Sequence, residues 1–264
     1  MKQFYIALLS EFYKSRKTLA FWAAIILPVL ICGSITLGFY FNAEKILKFN
    51  YPGMILWAQF SGASLNIMGL LILPFYVIFM AFSINNIEHK NDTWKTLFSQ
   101  PLNKFSIYAA KYAYAVLLIF ICLLLFFGIT YLSGYLLQAL VPKYTFKDYN
   151  PDTILFKYYT RLFFSSLGIL SIQFILSLIW SDFLKPMGIG FVGTIMGIIT
   201  ANVQWKYAQY VAYAIPTITL RSTKPKGSNP EDFQIFSSDI YISIAYGVLL
   251  FIIGYFILTK KNIK

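Results

Sequence analysis

Six long runs of apolar residues, separated by short polar segments, dominate the sequence. A helix needs about 20 consecutive apolar residues to cross the hydrocarbon core of a bilayer. The runs predict spans at about residues 19–41, 62–84, 112–141, 161–180, 186–203 and 240–258. Pro74 lies in the middle of the second run and predicts a kink there. The pattern predicts an all-α polytopic membrane protein in which residues 1–264 form a single transmembrane domain.

Two further segments are apolar in part but are not predicted to cross. Residues 2–17 carry Phe4, Leu8 and Phe12 at i, i+4 spacing and end in three basic residues, which predicts an amphipathic interfacial helix. The alternative is a frayed basic tail. Tyr207–Leu220 is aromatic and contains a proline, and it is too short to cross. It predicts a short outer re-entrant or interfacial helix before the sixth span, with a loop as the alternative.

The composition supports a membrane protein over a soluble one. Only 12% of the 264 residues are charged, whereas a soluble domain has about 25%. The net charge of +12 comes from basic residues spread over every loop, which favours contact with anionic lipid headgroups and not with nucleic acid. Charged residues are almost absent from the predicted spans, which argues against an ion-coupled carrier. Cys32 and Cys122 lie in apolar runs and are predicted to be packing residues.

The distribution of lysine and arginine predicts the orientation. An even number of spans places both termini on the same side. Four basic residues, Lys2, Lys14, Arg16 and Lys17, precede the first span, and two, Lys45 and Lys48, follow it closely. Basic residues favour the cytoplasmic side. We therefore expect a multi-pass protein of the bacterial plasma membrane with both termini in the cytoplasm.

The fifth predicted span contains a sequence that matches a dinucleotide-binding fingerprint, G-x-G-x-x-G, from Gly188 to Gly193. That fingerprint requires a preceding strand and an acidic residue about 20 positions further on, and both are missing here. Small residues four apart allow membrane helices to approach closely. We therefore interpret Gly190, Gly193 and Gly197 as helix-packing residues.

No catalytic, cofactor or metal site is predicted. The sequence contains no G-x-x-x-x-G-K-[ST] motif, so we expect no ATP hydrolysis by this chain. His89 is the only histidine, and it is predicted to be a solvated surface residue.

The most polar internal segment lies between the second and third predicted spans. Within it, Trp94, Leu97 and Phe98 fall on one helical stripe, while Pro101 stops the helix and Asn103 can cap the next one. Residues 85–104 are therefore predicted to contain a short amphipathic helix on the cytoplasmic face. The alternative is a solvated connector whose aromatic residues lie at the interface.

This segment resembles the loop between the second and third helices of type-2 ABC exporter permeases, in particular bacterial lantibiotic-immunity and bacitracin-resistance permeases. The family pattern has an acid, a Thr, a Leu-rich turn, a Pro and two basic residues. These positions are occupied here by Glu88, Thr93, Leu97, Pro101, Lys104 and Lys111. Asp92 departs from the pattern, because the family often has Gly before the Thr.

The resemblance implies a coupling helix that docks on a separate ABC ATPase subunit, where ATP is bound. Trp94, Leu97 and Phe98 would be the buried anchors, with Glu88 and Asp92 as polar partners. It also implies assembly with a second copy or a sister permease, and outward transport of an amphipathic or lipid-embedded substrate such as an antimicrobial peptide or hydrophobic drug.

Two other classes stay open at the level of sequence. A membrane enzyme acting on lipids would need convergent acids or histidines, and Glu88, His89 and Asp92 are the one such group on the inner side. A channel or scaffold that is not coupled to ATP is the third possibility.

Overall fold

The computed structural model describes residues 2–91, 93–99, 101–221 and 234–260, and these form helices and turns without any strand. Within them, six helices are long and apolar enough to cross a membrane. We number them spans 1 to 6: Leu19–Phe41, Gly53–Lys90, Lys104–Leu140, Asp152–Ile179, Leu184–Asn202 and Ser238–Lys260. The predicted all-helical membrane fold with six spans is thus confirmed.

Shorter elements lie before and between the spans. Four are helices: Lys2–Ser15, Ala43–Leu47, Trp94–Ser99 and Ile215–Arg221. Three are single 3₁₀ turns at Phe146–Asp148, Ala208–Tyr210 and Ala212–Ala214. We call Lys2–Ser15 the N-terminal helix and Trp94–Ser99 the loop helix.

Span 2 begins at Gly53 and so extends beyond the predicted residues 62–84. Its first half carries polar side chains, which hid it from a search for apolar runs. Ser61 and Ser64 satisfy their hydroxyls within the helix, on the carbonyls of Trp57 and Phe60 at 2.6 and 3.0 Å. Hydroxyls bonded in this way are compatible with a membrane helix.

The hydrogen-bond pattern of span 2 changes near its middle. Met68–Ile72 form a π turn, in which the amide of Leu73 donates to the carbonyl of Met68. Pro74 follows directly and cannot donate a backbone hydrogen bond. The turn divides span 2 into two halves, Gly53–Ile67 and Leu73–Lys90.

The N-terminal helix and the last described turn of span 6 lie at one end of the bundle, which we call the terminal end; the other is the distal end. Spans 2 and 4 are central, and their most apolar windows are 61% buried, against 28% and 22% for spans 5 and 6. Span 4 packs against spans 2 and 6, while span 3 packs against span 1 and the N-terminal helix. Spans 5 and 6 therefore present most of their surface outward.

The segment before span 6 is folded into the distal part of the bundle. Its two 3₁₀ turns and the helix Ile215–Arg221 bury Ala212, Tyr213, Ala214 and Pro216. The segment packs against spans 4 and 5 and against the π turn of span 2. It is thus a packed wall of the distal end and does not cross the bilayer.

Candidate functional site

Four charged side chains meet at the terminal end of the bundle. Lys111 Nζ lies 2.9 Å from Glu11 Oε2 and 2.6 Å from Glu88 Oε2. Lys14 Nζ lies 3.1 Å from Glu11 Oε1 and 3.0 Å from Glu88 Oε1. Each carboxylate gives one oxygen to each lysine, so the four groups form a closed ring of alternating charge. We call Glu11, Lys14, Glu88 and Lys111 the charge ring.

The charge ring joins three separate elements. Glu11 and Lys14 come from the N-terminal helix, Glu88 from the end of span 2, and Lys111 from the second turn of span 3. Glu11, Glu88 and Lys111 are each no more than 2% exposed. Buried charges are tolerated when they are paired and hydrogen-bonded. The two acids and two lysines cancel, which makes burial of the whole ring feasible.

The ammonium group of Lys111 is fully used. It donates to Glu11 and Glu88 and, at 3.5 Å, to the carbonyl of Ile84. An ammonium has three donors, so this accounts for all of them. The nitrogen also lies 5.7 Å from the ring centroid of Trp94, within the range of a cation–π contact. Lys111 is therefore the centre of the ring and its link to the loop helix.

Lys14 is the most solvent-accessible member of the ring, with 29% of its side chain exposed. Burial lowers the pKa of Lys14, but the carboxylates of Glu11 and Glu88 more than offset this, so its pKa is raised above the ordinary value of 10.5. Lys14 is therefore protonated throughout the physiological range.

The N-terminal helix turns its polar side toward the protein. Ala7, Glu11 and Ser15 are its buried residues, whereas Tyr5, Leu9 and Phe12 are exposed. The sequence places Phe12 in an apolar stripe of this helix. In the structure Phe12 is on the outward side, where such a stripe can contact lipid. A helix with outward aromatic residues and an inward carboxylate is fixed by ion pairing to the bundle and by its apolar side to the headgroup layer.

The loop helix is tied to the bundle by Trp94 and His89. The indole Nε1 of Trp94 donates to His89 Nδ1 at 3.2 Å, and His89 Nε2 lies 3.0 Å from the carbonyl of Ser177 in span 4. Because Nδ1 accepts, the proton of a neutral ring is on Nε2 and is donated to Ser177. The hydroxyl of Ser177 in turn accepts from Asn85 at 2.7 Å. Spans 2 and 4 and the loop helix thus share one hydrogen-bond network.

Several predicted roles in this segment need correction. Glu88 is 1% exposed and paired within the chain, so it cannot contact a partner subunit directly. His89 is half-buried and hydrogen-bonded, and the expectation of a solvated residue is wrong because span 4 lies against it. Trp94 is half-buried against the bundle and therefore anchors the loop helix inward.

The remaining predicted residues lie on or beside the loop helix. Thr93 is half-buried; its amide donates to the carbonyl of Glu88 and its own carbonyl accepts from Leu97. Leu97 is half-buried and Pro101 is exposed. Asp92 and the side chain of Phe98 lie outside the described part of the chain. Asn103 caps span 3 by accepting from the amide of Phe105 at 3.0 Å.

The glycines of span 5 lie where other parts of the chain come close. A Cβ on Gly190 would be 2.7 Å from Gln173 and 2.8 Å from Ile78, and one on Gly193 would be 2.8 Å from the ring of Tyr213. At Gly197 it would be 2.5 Å from the backbone carbonyl of Tyr213. These contacts are to spans 2 and 4 and to the segment before span 6, and all are within the same chain.

A second buried ionic cluster lies at the distal end. Arg161 of span 4 and Asp239 of span 6 are 3.7 Å apart and are 2% and 5% exposed. Arg161 also donates to the hydroxyl of Ser237 at 2.9 Å, and Thr219 donates to Asp239 at 2.9 Å. We call Arg161, Thr219, Ser237 and Asp239 the distal clamp. It joins spans 4 and 6 to the helix that precedes span 6.

Sequence reasoning missed the charge ring although every member is visible in the sequence. Lys111 and Glu88 were recognised as members of a motif, but Glu11 and Lys14 were assigned to a surface helix. Glu11 and Lys14 are three residues apart and so lie on one face of the helix. An acid and a base on one face can share a buried partner, so this spacing is a signal for such a cluster. The separation of Glu11 from Lys111 along the chain left no local pattern that could connect them.

The fold and this site define a class: a polytopic membrane protein whose terminal end fixes a short loop helix to three spans and to an interfacial helix. A sequence profile of the ABC-2 family transporter proteins matches residues 7–197, and the chain belongs to that family. It is therefore a multi-pass membrane permease subunit of an ABC transporter, and the family implies association with an ABC ATPase subunit. No curated protein and no solved structure matches the chain.

Proposed function

We propose that the chain is the permease subunit of an ATP-driven exporter and that its loop helix transmits the movement of a separate ATPase subunit to the spans. The termini are then cytoplasmic, as the basic residues before span 1 predict. ATP is bound and hydrolysed on the partner. A second copy of this chain or a sister permease completes the transporter.

The charge ring is the observation that carries this proposal. It ties the end of span 2 to span 3 and to the N-terminal helix through ion pairs of 2.6–3.1 Å. The loop helix follows span 2 directly and meets the ring through the cation–π contact of Trp94 with Lys111. The Trp94–His89–Ser177 chain ties the same helix to span 4. A push on the loop helix therefore moves spans 2, 3 and 4 together, which is the kind of rigid-body movement that packed helices make.

The surface left to the ATPase is the outer side of the loop helix. Thr96, Ser99 and Pro101 are exposed there, and Leu97 is half-buried beside them. Trp94 faces the bundle and is therefore no longer one of the proposed anchors. Leu97 is the apolar residue that we propose to enter a groove on the ATPase. Phe98 keeps its proposed role beside Leu97.

The proposed cargo is an amphipathic or lipid-embedded molecule, such as an antimicrobial peptide or a hydrophobic drug. In the described residues, the two ionic clusters of the spans are paired within the chain and leave no buried single charge that would bind an ion. Aromatic side chains are frequent at the distal end, among them Trp57, Tyr149 and Tyr207. Such residues suit a cargo that is partly apolar.

Association with the ATPase tests the docking role. The chain is co-expressed with candidate ABC ATPase subunits from the same genome, and for the one that co-purifies with the wild-type chain, Leu97→Asp and Phe98→Asp are compared with Leu47→Asp. Leu47 is a half-buried leucine of the distal helix Ala43–Leu47 and serves as the matched control. Leu97→Asp and Phe98→Asp should lose the ATPase on purification, and Leu47→Asp should keep it.

Equal retention of the ATPase by all three variants would overturn the docking role. A chain that never co-purifies with an ATPase, yet conducts ions or hydrolyses lipid when reconstituted alone, would instead favour the channel or the enzyme. Vesicle transport of a labelled antimicrobial peptide, measured with and without ATP, tests the direction and class of cargo separately.

A further inference from the structure

The distal half of span 2 borders a cavity that takes no part in the coupling network. The cavity has a volume of about 240 Å³ and lies between span 2, the first turns of span 4 and the helix Ile215–Arg221. Trp57, Ser61, Gly62, Tyr149, Tyr158 and Leu220 are among its lining residues. It is thus built from three elements of the distal end.

The cavity is apolar with a few polar groups and no charge in its described lining. Its polar side-chain groups are hydroxyls, the indole N–H of Trp57 and one amide, that of Asn66. The Trp57 indole and the Ser61 hydroxyl donate to backbone carbonyls at 2.9 and 2.6 Å, so their donors are already used. Ligand sites typically combine such an apolar wall with a small number of polar groups. A charged group would lose its hydration here without gaining a partner.

Asn66, which lines the cavity, lies on a face of span 2 that is unsuited to pure hydrocarbon. Gln59 and Asn66 are both exposed and lie seven residues apart, on one side of the helix. The Asn66 amide donates one hydrogen bond to the carbonyl of Gly62 at 2.7 Å. The remaining polar atoms of an exposed amide are costly in contact with acyl chains, because lipid tails offer no hydrogen-bond partner. This face therefore meets water or polar groups, while the cavity behind it is apolar.

One wall residue of the cavity, Leu220, packs against the π turn of span 2. Gly69, within the turn, packs so closely on Leu220 that a Cβ would collide with the leucine side chain, and it would lie 3.1 Å from Leu162. Leu220 also lines the cavity. π turns are often found at functional sites. A change in the π turn would therefore displace Leu220 and alter the size of the cavity.

We infer that this cavity binds the apolar part of an uncharged amphipathic molecule, and that the molecule is cargo on its way through the transporter. The cavity takes an aromatic ring or a short alkyl chain, and its polar rim meets the hydrated part of the ligand. The assignment as cargo rests on the proposed transport function. An uncharged lipid resident in the bilayer has the same chemistry and is the other possible source.

A photolabelling experiment tests the site. The full chain and its ATPase are reconstituted in nanodiscs and exposed to a monoacylglycerol with a diazirine in its chain. The control probe is the phosphate ester of the same monoacylglycerol. Adducts should concentrate at residues 53–66 and 149–158, several-fold above the rest of the chain, and the phosphate ester should label these residues much less.

Two phenylalanine substitutions show whether the cavity itself is responsible. Gly62 lines the cavity and has open space at its Cβ position, so Gly62→Phe fills the cavity without a backbone clash. Gly128 of span 3 also has open space and serves as the matched control, Gly128→Phe. Only Gly62→Phe should lower the labelling several-fold. Labelling that Gly62→Phe leaves unchanged, or that the phosphate ester equals, would overturn the site.

Trapping the ATPase with vanadate separates cargo from resident lipid. Labelling that falls on trapping supports cargo, and labelling that is the same in both states overturns that assignment. Co-purification of the ATPase with Gly62→Phe is measured in parallel. If the wild-type chain does not associate with the ATPase, the proposed function has failed. If the wild-type chain associates with the ATPase but the cavity is not labelled, only the cavity assignment has failed.

Discussion

The two ionic clusters at opposite ends of the bundle are built differently. The charge ring has two acids and two lysines in four contacts of 2.6–3.1 Å, and it joins the N-terminal helix to spans 2 and 3. The distal clamp has one ion pair at 3.7 Å, supported by hydroxyl groups of Thr219 and Ser237. One cluster is a closed network of charges, and the other is a single pair held by neutral groups.

The difference suits different tasks. A lysine ammonium is a compact point charge on a flexible stem, whereas the arginine guanidinium is a rigid planar fork. Lys111 and Lys14 can therefore adjust to small displacements and keep both acids paired while the elements that the charge ring joins move as one body. Arg161 requires a fixed geometry and holds spans 4 and 6 and the helix Ile215–Arg221 in place. Under the proposed function, the terminal end transmits movement and the distal end acts as a structural clamp.

The largest effect is expected for Lys111→Met. It leaves Glu11 and Glu88 buried with only Lys14 as a counter-charge, and breaking such a buried pair costs about 3–5 kcal/mol. Unfolding in detergent measures the loss of stability, and ATP-driven transport measured on the folded fraction should also fall. Lys90→Met, at an exposed position in the last turn of span 2, is the control and should change stability by less than about 0.5 kcal/mol.

Arg161→Met should cost less, about 2–3 kcal/mol, because Asp239 keeps its hydrogen bond from Thr219. Stimulation of the ATPase by the folded variant should be unchanged, in contrast to Lys111→Met. The same unfolding and ATPase assays check both statements. A variant of Arg161 that uncouples ATP hydrolysis from transport would remove the distinction between the two clusters.

Gly197→Ala probes the distal end without changing any charge. Its Cβ would lie 2.5 Å from the backbone carbonyl of Tyr213, and such overpacking costs about 1–3 kcal/mol. Gly188→Ala is the matched control on the same span, because Gly188 has open space. It should be neutral or stabilise span 5 by about 0.5–1 kcal/mol. Similar melting temperatures for the two variants would contradict the close contact.

The smallest effect concerns the pH dependence of Lys14. Because its folded pKa is raised above 10.5, its stabilising contribution is complete below the unfolded pKa and is lost as the pH rises through the folded value. The difference in unfolding free energy between wild type and Lys14→Met should be constant between about pH 6 and pH 9 and should shrink only at higher pH. A difference that shrinks near neutral pH would show that Lys14 is not held by both acids.

The sequence predicts the six spans well because each depends on a local run of apolar residues. It predicts the start of span 2 poorly, since Gln59, Ser61 and Ser64 interrupt the run while their helix continues. Similarly, span 3 begins at Lys104, before the apolar run that starts at Tyr112. Hydrogen bonds within a helix and polar ends beyond the hydrocarbon are not visible in a hydropathy pattern.

The charge ring could not be predicted because its members meet only in the folded chain. Glu88 and Lys111 are part of a recognisable local motif, but the direction in which Trp94 points depends on His89 and on the end of span 4. An aromatic residue on an amphipathic stripe can face either a partner or its own bundle. The stripe alone gives the same signal in both cases.

The distance between the loop helix and the N-terminal helix during ATP hydrolysis tests the central claim most directly. Spin labels are placed at the exposed positions Gln3 and Thr96, with a distal reference at Lys48, after replacement of the buried Cys32 and Cys122 by alanine. On vanadate trapping, the Gln3–Thr96 distance should stay constant while both positions move relative to Lys48. Movement of Thr96 away from a stationary Gln3 would contradict transmission through the charge ring.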